Sequence, residues 1–520
     1  MEPSNFPFLS LLIGLPPAAG AVLLCLRDST LVRPVALAAA LLELILSIAL
    51  LFLFDFDAEG MQFVERHAWI PSLNMQYLVG VDGVSVLFLP LTALLTAGVI
   101  LASWTSVPTW SRPYFVLLLA LEGVTLGIYS ALDLGLFFLF WELTLPPIYF
   151  LVSLWGIGPQ RRHAAVKYTL FMLAGGVPLL FGFILLALNH AGETGSPAPA
   201  GLSFDYMTLL ETPIRPEVQS VIFLLLFFGF AVKAPLFPFH VWLPTVAMEG
   251  PAGLTALLTG LKLGLFGIIR FAVPLAPQAS YRYFGLMAAL GAIGALYGAL
   301  IALRQTNLRQ MLAFSSISHV GFVLIGIAAL DIQGIQGAVF QLFNFGIVAG
   351  GIFLIAGFLQ HRLGSTELTA LGGAARSMPL LASLFFVLGL AGIGVPGTNG
   401  FPAEHLIVIG AFRAHAGLGL AALFSVILGA AYFLGFFQKA FLGPLTRGTV
   451  KEAADLRPRE LWVAGVMVLL TLAGGFYPQA LLDASRKPLQ AWIARLEAGN
   501  PTTLANGEGH IAASSDGSVR

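Results

Sequence analysis

Apolar runs of about 20 residues, separated by short polar segments, follow one another along nearly the whole chain. A run of this length is what an α-helix needs to cross the hydrocarbon core of a bilayer. Fourteen runs fit the pattern, at 7–26, 32–54, 83–104, 113–131, 134–155, 167–188, 219–240, 251–273, 283–303, 309–330, 333–358, 378–411, 416–442 and 460–482. The pattern therefore predicts an all-α polytopic membrane protein with about 14 transmembrane helices.

The composition agrees with a chain whose solvent is lipid. The 520 residues are 58% apolar and only 10% charged, whereas soluble domains are about 25% charged. The 26 Lys and Arg residues equal the 26 Asp and Glu residues in number, so the chain has no basic excess for nucleic acid. These values exclude a soluble enzyme, a disordered chain and a nucleic-acid-binding protein.

The positions of Lys and Arg predict the orientation. With the N-terminus outside, 14 of these residues fall in the inner loops and five fall in the outer loops or adjoining helix ends. Because inner loops carry the positive excess, we expect both termini on the outer side of a bacterial inner or thylakoid-type membrane.

Two predicted spans are interrupted by proline and glycine, one at Lys233–Pro238 and one at Pro396–Glu404. A broken helix survives in lipid only where protein or a water-filled cavity satisfies the freed backbone groups. Paired breaks in the two halves of a chain are typical of the inverted repeats of transporters, although two unrelated proline kinks would give the same pattern. The predicted organisation is three N-terminal spans at 1–112, a first five-helix repeat at 113–273, a second at 274–442, a C-terminal helix at 443–485 and a partly disordered tail at 486–520.

Four ionisable residues lie deep inside predicted spans: Glu142, Lys233, Lys262 and Glu404. Each charge costs at least about 2.5–3.5 kcal/mol at mid-bilayer, so such residues need partners, water or a function. A lysine in a low-dielectric site can take up and release a proton near neutral pH. The four residues therefore predict proton transfer, and the alternative is a static Glu142–Lys233 ion pair that fixes helix packing.

His319 is a fifth candidate, because Ser315 lies one helical turn before it on the same face. Hydroxyls and an imidazole on one stripe can relay protons, whereas a lone histidine bonded inside a bundle would be structural. The secondary candidates are Glu122, His240 and Lys439. Their alternatives are a packing contact for Glu122, a headgroup-level position for His240 and a snorkelling side chain for Lys439.

Several motifs together resemble the antiporter-like subunits of respiratory complex I, and most nearly the chain M type of bacterial NADH-quinone oxidoreductase. The resemblance covers about residues 5–485 and is carried by Gly80-Val-Asp82-Gly-Val-Ser, Phe140-Trp141-Glu142-Leu-Thr-Leu-Pro146, Val232-Lys233-Ala-Pro235-Leu-Phe-Pro238-Phe-His240-Val-Trp242-Leu-Pro244, Ser315-Ser-Ile-Ser-His319-Val-Gly321 and Pro396-Gly-Thr-Asn-Gly400-Phe.

The resemblance implies a 14-helix bundle with two inverted five-helix repeats. One half-channel would centre on Lys233 with Glu142, Lys262 would link it to the other half-channel at Glu404, and His319 would lie on the central axis. The resemblance also implies that this chain holds no cofactor and no metal. NADH, FMN, iron–sulfur clusters and quinone would belong to partner subunits, and further antiporter-like membrane subunits would flank this chain.

Two positions depart from the family pattern, since Ala247 and Phe345 stand where the family often has histidine. Either water replaces these side chains, or the chain serves a specialised assembly linked to a hydrogenase or to carbon uptake. Three functions stay open at this point. The chain is a proton-translocating subunit of a NADH:quinone oxidoreductase, an Mrp-type cation/proton antiporter subunit, or a structural coupling subunit.

Overall fold

The computed structural model describes residues 6–445 and 447–498, and helices account for most of them. The predicted disorder after Ala498 lies outside the described residues. The N-terminal part contains α1 (Phe8–Cys25), α2 (Val32–Leu53), β1 (Gln62–Ile70), β2 (Met75–Val81) and α3 (Phe88–Ala102).

The middle of the chain carries the first interrupted spans. Its helices are α4 (Ser111–Ser130), α5 (Leu134–Leu143), α6 (Leu145–Trp155), α7 (Arg161–Thr194), α8 (Tyr206–Glu211), α9 (Pro216–Lys233), α10 (Trp242–Glu249), α11 (Ala252–Gly260), α12 (Leu263–Gly267), α13 (Val273–Leu275) and α14 (Pro277–Arg282). A π-helical turn, Ile268–Ala272, joins α12 to α13.

The remaining helices are α15 (Phe284–Leu303), α16 (Leu308–Ala328), α17 (Ile332–Asn344), α18 (Gly350–Leu363), α19 (Leu368–Leu371), α20 (Ala374–Ser377), α21 (Pro379–Ala391), α22 (Gly400–Ala414), α23 (Ala416–Ala440), α24 (Gly448–Lys451), α25 (Pro458–Phe476) and α26 (Gln479–Ala498). A second π-helical turn, Phe345–Ala349, joins α17 to α18.

The predicted helical membrane architecture is confirmed. Within the described ranges, 12 helices are long and apolar enough to cross a membrane, or 13 if the bent pair Leu368–Ser377 and Pro379–Ala391 forms one span. The helix α3 has only 15 residues, about 22 Å at 1.5 Å per residue. The number 14 and the inverted repeats stay predictions.

Two segments contain more regular structure than the sequence predicts. The acidic loop at 55–80 folds into the antiparallel hairpin of β1 and β2, because Asn74 adopts the left-handed conformation that a tight turn favours. Residues 486–498 of the predicted tail extend α26, whose Trp492 indole donates to the Ile269 carbonyl oxygen at 3.0 Å.

Loop contacts at one end of the bundle join segments that are distant in sequence. Arg66 in the hairpin donates to Asp205 at 2.7 Å, and Asp133 forms an antiparallel bridge with the same residue. Lys487 in α26 lies 3.6 Å from Asp57. All of these belong to loops or termini that the charge distribution assigns to the outer side.

The opposite end of the bundle has its own loop contacts. Arg309 donates to the Gly250 carbonyl oxygen at 2.6 Å, and Asn307 donates to Glu367 at 2.9 Å. Segments that the charge distribution assigns to the inner side thus share one end, as an alternating topology requires.

A buried ion pair fastens the chain between β2 and α3 to the π-helical turn. The Arg270 guanidinium donates to both carboxylate oxygens of Asp82, at 2.5 and 2.7 Å, and both residues are buried. Removing one partner of a buried pair leaves the other charge uncompensated, which is strongly destabilising.

We expect Asp82→Asn to lower the free energy of unfolding by about 3–5 kcal/mol, measured by thermal unfolding of the detergent-solubilised protein. The control is Glu193→Gln, because Glu193 pairs with Arg215 at an exposed site and such pairs contribute about 0–1 kcal/mol. Equal losses in the two variants would contradict the assignment.

The same pair gives a pH dependence with a defined sign. Burial raises the pKa of Asp82, but the Arg270 charge and hydrogen bonds from the backbone lower it further, so the net pKa lies below the ordinary value. The stabilisation is therefore complete above the ordinary carboxyl pKa and is lost as the pH falls through the depressed value. We expect Asp82→Asn to flatten the acid limb of the stability profile.

Candidate functional site

The first predicted break lies where α9 stops at Lys233, ahead of Pro235 and Pro238. The Trp242 indole at the start of α10 donates to the carbonyl oxygen of Val232 at 2.9 Å. The break is therefore satisfied by protein, which is the condition for interrupted backbone at membrane depth.

The Lys233 ammonium group is held by neutral acceptors. It donates to the Trp141 carbonyl oxygen at 2.9 Å and to the Thr144 hydroxyl at 2.8 Å, and it lies 3.9 Å from the centre of the Trp141 ring. In the described part of the chain, the static Glu142–Lys233 ion pair of the alternative hypothesis is not among the contacts within 4 Å.

Glu142 precedes Thr144, the hydroxyl partner of Lys233, and its carboxyl group is near enough for the two charges to interact without an ion pair within 4 Å. Gly176 on α7 makes room for its carboxyl group, because a Cβ atom at Gly176 would approach Glu142 Oε1 to 2.3 Å. The absence of a side chain at Gly176 thus leaves space for the Glu142 carboxyl group.

A cavity of about 40 Å³ lies next to Lys233. Its polar lining includes Thr96, Glu122 and Thr144 as well as Lys233 itself. The volume is enough for more than one water molecule, since one requires roughly 10–15 Å³.

Lys262 lies at a break that the sequence analysis did not predict. The predicted continuous span 251–273 is interrupted between α11 and α12, where Leu261 and Lys262 leave the helical conformation. The buried Lys262 ammonium group donates to the Ser316 hydroxyl at 2.6 Å and lies 5.3 Å from the centre of the Phe345 ring.

A second cavity, of about 50 Å³, is lined by Ser316, the hydrogen-bond partner of Lys262. Ser315, Ser316, His319 and Asn344 provide most of its polar lining. Lys262 lies between the two cavities, because its neighbours Leu261 and Leu263 line the first and its partner Ser316 lines the second.

His319 can be satisfied in either protonation state. Both ring nitrogens lie 2.9 Å from carbonyl oxygens, those of Ser315 and Gly392, and two carbonyl acceptors match an imidazolium. In the neutral form, the Ser315 hydroxyl, 3.4 Å from Nδ1, can donate instead. Tyr432 can in turn donate to Ser315, since the two hydroxyl oxygens are 2.6 Å apart.

Glu404 follows the second predicted break, which separates α21 from α22. Its carboxyl oxygen lies 4.0 Å from His319 Nε2, and the residue is only 5% exposed. The Asn344 amide donates to the freed Asn399 carbonyl oxygen at 2.7 Å. Histidine and glutamate thus meet at a break whose backbone is bonded by a neighbouring helix.

The main candidates form a row of ionisable residues: Glu142, Lys233, Lys262, His319 and Glu404. The structure does not bring the secondary candidates into this row. His240 is buried between the rings of Phe237 and Tyr297, and Lys439 is exposed at the end of α23. Among the described residues, the Glu122 carboxyl oxygens have no hydrogen-bond partner. Ala247, one of the two departures, is fully buried in apolar packing.

A protein-family model described as "NADH:quinone oxidoreductase/Mrp antiporter, TM" matches residues 131–429, more than half of the chain. The chain belongs to this family. The matched region contains all five main candidates, so the row of ionisable residues lies within the part that defines this NADH:quinone oxidoreductase/Mrp antiporter family.

Curated relatives in the family cover almost the full chain. NADH-quinone oxidoreductase subunit M of Rhodobacter capsulatus is 35% identical over 91% of this chain and 94% of the relative. NAD(P)H-quinone oxidoreductase chain 4 1 of Synechococcus sp. (strain JA-3-3Ab) is 36% identical over 96% and 95%. These matches confirm the resemblance to chain M inferred from the motifs.

Solved structures give the same fold. A chain of respiratory complex I from Thermus thermophilus with bound NADH superposes with a TM-score of 0.84 at 33% identity, covering 94% of this chain and 99% of that one. A chain of the Mrp complex from Dietzia sp. DQ12-45-1b superposes with a TM-score of 0.81 at 24% identity, covering 95% and 98%, and this second likeness concerns the fold alone.

Sequence reasoning missed two side chains near the site. Glu43 is fully buried in α2 and was detectable, because it is the one carboxylate in the predicted span 32–54. Tyr432 gave no signal, since a tyrosine in an apolar helix is ordinary and only the fold shows its contact with Ser315.

We expect Gly176→Ala to displace the Glu142 carboxyl group and to lower the ion-transport activity of the assembled protein roughly 10–100-fold, the usual effect of an ångström-scale misplacement. The matched control is Gly465→Ala in α25, where an added Cβ would have nothing within 4 Å. Transport by reconstituted vesicles is the measurement, and equal activity in both variants would contradict a role for the position of Glu142.

Proposed function

We propose that this chain is the proton-translocating membrane subunit of a complex I-like NADH:quinone oxidoreductase. The observation that carries the proposal is the position of Lys262 between two cavities. One cavity is lined by the lysine of the first broken helix, and the other is lined by His319, which lies 4.0 Å from Glu404 at the second break.

In the proposed sequence, Lys233 receives a proton from the inner side and Glu142 tunes it. Lys262 and His319 pass the proton laterally, and Glu404 hands it to the outer side. The neutral partners of both lysines support this role, because an ammonium group bonded to carbonyl and hydroxyl oxygens can lose its proton without stranding a bonded counter-ion.

The two breaks occupy corresponding places in the proposed inverted repeats, 113–273 and 274–442. Each break brings an ionisable side chain to an interrupted backbone, as in transporters whose sites lie at the repeat interface. A 14-span topology with both termini outside is part of the proposal, supported by the positive charges and by the grouping of loops at two ends.

The departure at Phe345 leaves a polar route in place. The Phe345 ring centre lies 5.3 Å from the Lys262 ammonium group and 6.0 Å from the centre of the His319 ring. Ser316 and the second cavity lie next to the same ammonium group, so we propose that hydroxyl groups and water connect Lys262 with His319.

We propose that other membrane subunits, including further antiporter-like ones, flank the chain in a bacterial or thylakoid-type membrane. NADH, FMN, iron–sulfur clusters and quinone would be bound by partner subunits, and energy would reach this chain from their redox reaction. The names of the curated relatives support this assignment.

The three open functions can be separated in inverted membrane vesicles from a strain that lacks the gene and from its complemented parent. For the proposed function, we expect NADH oxidation to acidify the vesicle interior only in the complemented strain. Sodium-driven proton exchange without NADH would identify an Mrp-type antiporter, and complex assembly with acidification unaffected by loss of the buried lysines would identify a structural subunit.

A further inference from the structure

Two buried carboxyl groups lie outside the row of main candidates. Glu43 lies in the middle of α2 and Glu122 in the middle of α4, and their side chains are 0% and 2% exposed. Within the described residues, none of their four carboxyl oxygens has a hydrogen-bond partner. Unbonded carboxyl groups at this depth are costly to keep unless they serve a purpose.

The two groups lie on neighbouring helices. The helices α2 and α4 pack together, and both carboxyl groups are buried between them and their neighbours, near enough for their charges to interact. Two neighbouring carboxylates in a low-dielectric site cannot both be ionised at moderate cost, so the pair retains at least one proton. No lysine or arginine forms an ion pair with either residue in the described ranges.

Glu122 connects the pair to the proton route. It lines the 40 Å³ cavity together with Thr144 and Lys233, and Thr144 accepts a hydrogen bond from the Lys233 ammonium group. Glu122 and the first lysine thus line the same small cavity, and Glu43 lies on the helix packed against that of Glu122.

We propose that Glu43 and Glu122 form a coupled pair of carboxyl groups that stores protons, and that Glu122 reloads Lys233 through this cavity. The proposal rests on the proposed function, since it gives a source for the proton that Lys233 passes on. It adds two residues on α2 and α4 to a route that otherwise begins at α9.

The step balances in atoms and charge. With both carboxyl groups protonated and Lys233 neutral, the O–H bond of Glu122 breaks, the proton crosses the cavity and an N–H bond forms on Lys233. The lysine becomes a cation, Glu122 becomes a carboxylate, and Glu43 keeps its proton. When Lys233 has passed its proton on and one proton from the inner side has reprotonated the pair, the starting state is restored.

Infrared difference spectroscopy of the assembled complex, resting against NADH-reduced, tests the pair directly. We expect the carbonyl stretching band of a protonated carboxyl group to change between the two states and to shift in heavy water. Glu122→Gln should remove this band and Glu43→Gln should shift it, because the neighbouring carboxyl group on the packed helix α2 is then replaced by an amide. A band that neither substitution alters would overturn the proposal.

Proton translocation gives a second readout. We expect each single variant to lower the rate about 10-fold, within the range for loss of a positioned acid–base group. Glu43→Gln/Glu122→Gln should be no slower than the slower single variant, because groups that act as a unit are not additive. Full rates in both single variants, or independent losses that multiply, would overturn the pair.

Controls separate this proposal from the proposed function. Glu193→Gln removes an exposed carboxylate and should leave both readouts unchanged. If a glutamine variant fails to assemble, Glu122→Asp and Glu43→Asp replace it, because aspartate retains a carboxyl group. We expect both aspartate variants to keep a carboxyl band in the difference spectrum. Absence of the band in both variants would overturn the pair. If substitution of Lys233 lowers the translocation rate but substitutions of Glu43 and Glu122 do not, only the proposal of the carboxyl pair is contradicted. If substitution of Lys233 leaves the rate unchanged, the proposed function is contradicted.

Discussion

Lys233→Ala should abolish NADH-driven proton translocation by the assembled complex, with a loss of about 100-fold or more. Alanine removes the proton carrier next to the first cavity together with its hydrogen bonds to the Trp141 carbonyl oxygen and the Thr144 hydroxyl, although the Thr144 hydroxyl still donates to that carbonyl oxygen. The measurement is the initial rate of acidification inside inverted vesicles, normalised to the amount of complex.

Lys439→Ala is the matched control for this variant, because Lys439 is exposed at the end of α23 and should be replaceable without loss of rate. Lys233→Arg gives a further check, since arginine keeps the positive charge but does not release its proton in proteins. We expect the arginine variant to be as inactive as the alanine variant. Activity in the arginine variant would mean that only the charge is needed.

Glu404→Gln should produce the second large loss, also about 100-fold. The Glu404 carboxyl group packs against Gly394, where an added Cβ atom would clash with it. Glutamine has nearly the same shape as glutamate, so this packing can persist in the variant. It cannot accept a proton from His319, whose Nε2 atom lies 4.0 Å from the carboxyl oxygen.

The control for Glu404→Gln is Glu217→Gln in the first turn of α9. Both substitutions remove one carboxylate from the chain, but Glu217 lies in the first turn of α9, at the opposite end of that helix from the break at Lys233. We expect the control to translocate protons at the normal rate. Comparable losses in both variants would show that total charge, rather than a group at the second break, matters.

Much of the fold could be predicted from hydrophobic length alone. Runs of about 20 apolar residues have few alternatives to a membrane helix, and proline marks the breaks at Pro235 and Pro396 because it removes a backbone donor. The break at Lys262 carries no proline. The sequence feature that marks this break is the pair Gly260 and Gly264. Glycine is common in membrane helices, so such a pair does not by itself indicate a break.

The site was predictable as a set of residues but not as a network. A charge inside an apolar run is visible in the sequence, which is how Lys233 and Glu404 were found. Their contacts depend on which helices lie side by side, so the Lys262–Ser316 bond and the Ser315–Tyr432 contact required the fold. The hairpin of β1 and β2 was missed because residues 55–80 were interpreted as one acidic loop, although Glu65 is the only acidic residue within the two strands.

The proton-to-electron stoichiometry of the purified complex in sealed vesicles tests the central claim most directly. It compares the parent with the double variant Lys233→Ala/Glu404→Gln at matched assembly and matched NADH oxidation. We expect the double variant to translocate fewer protons per NADH, because this chain no longer carries its share. An unchanged stoichiometry in a fully assembled complex would contradict proton transport through these buried groups.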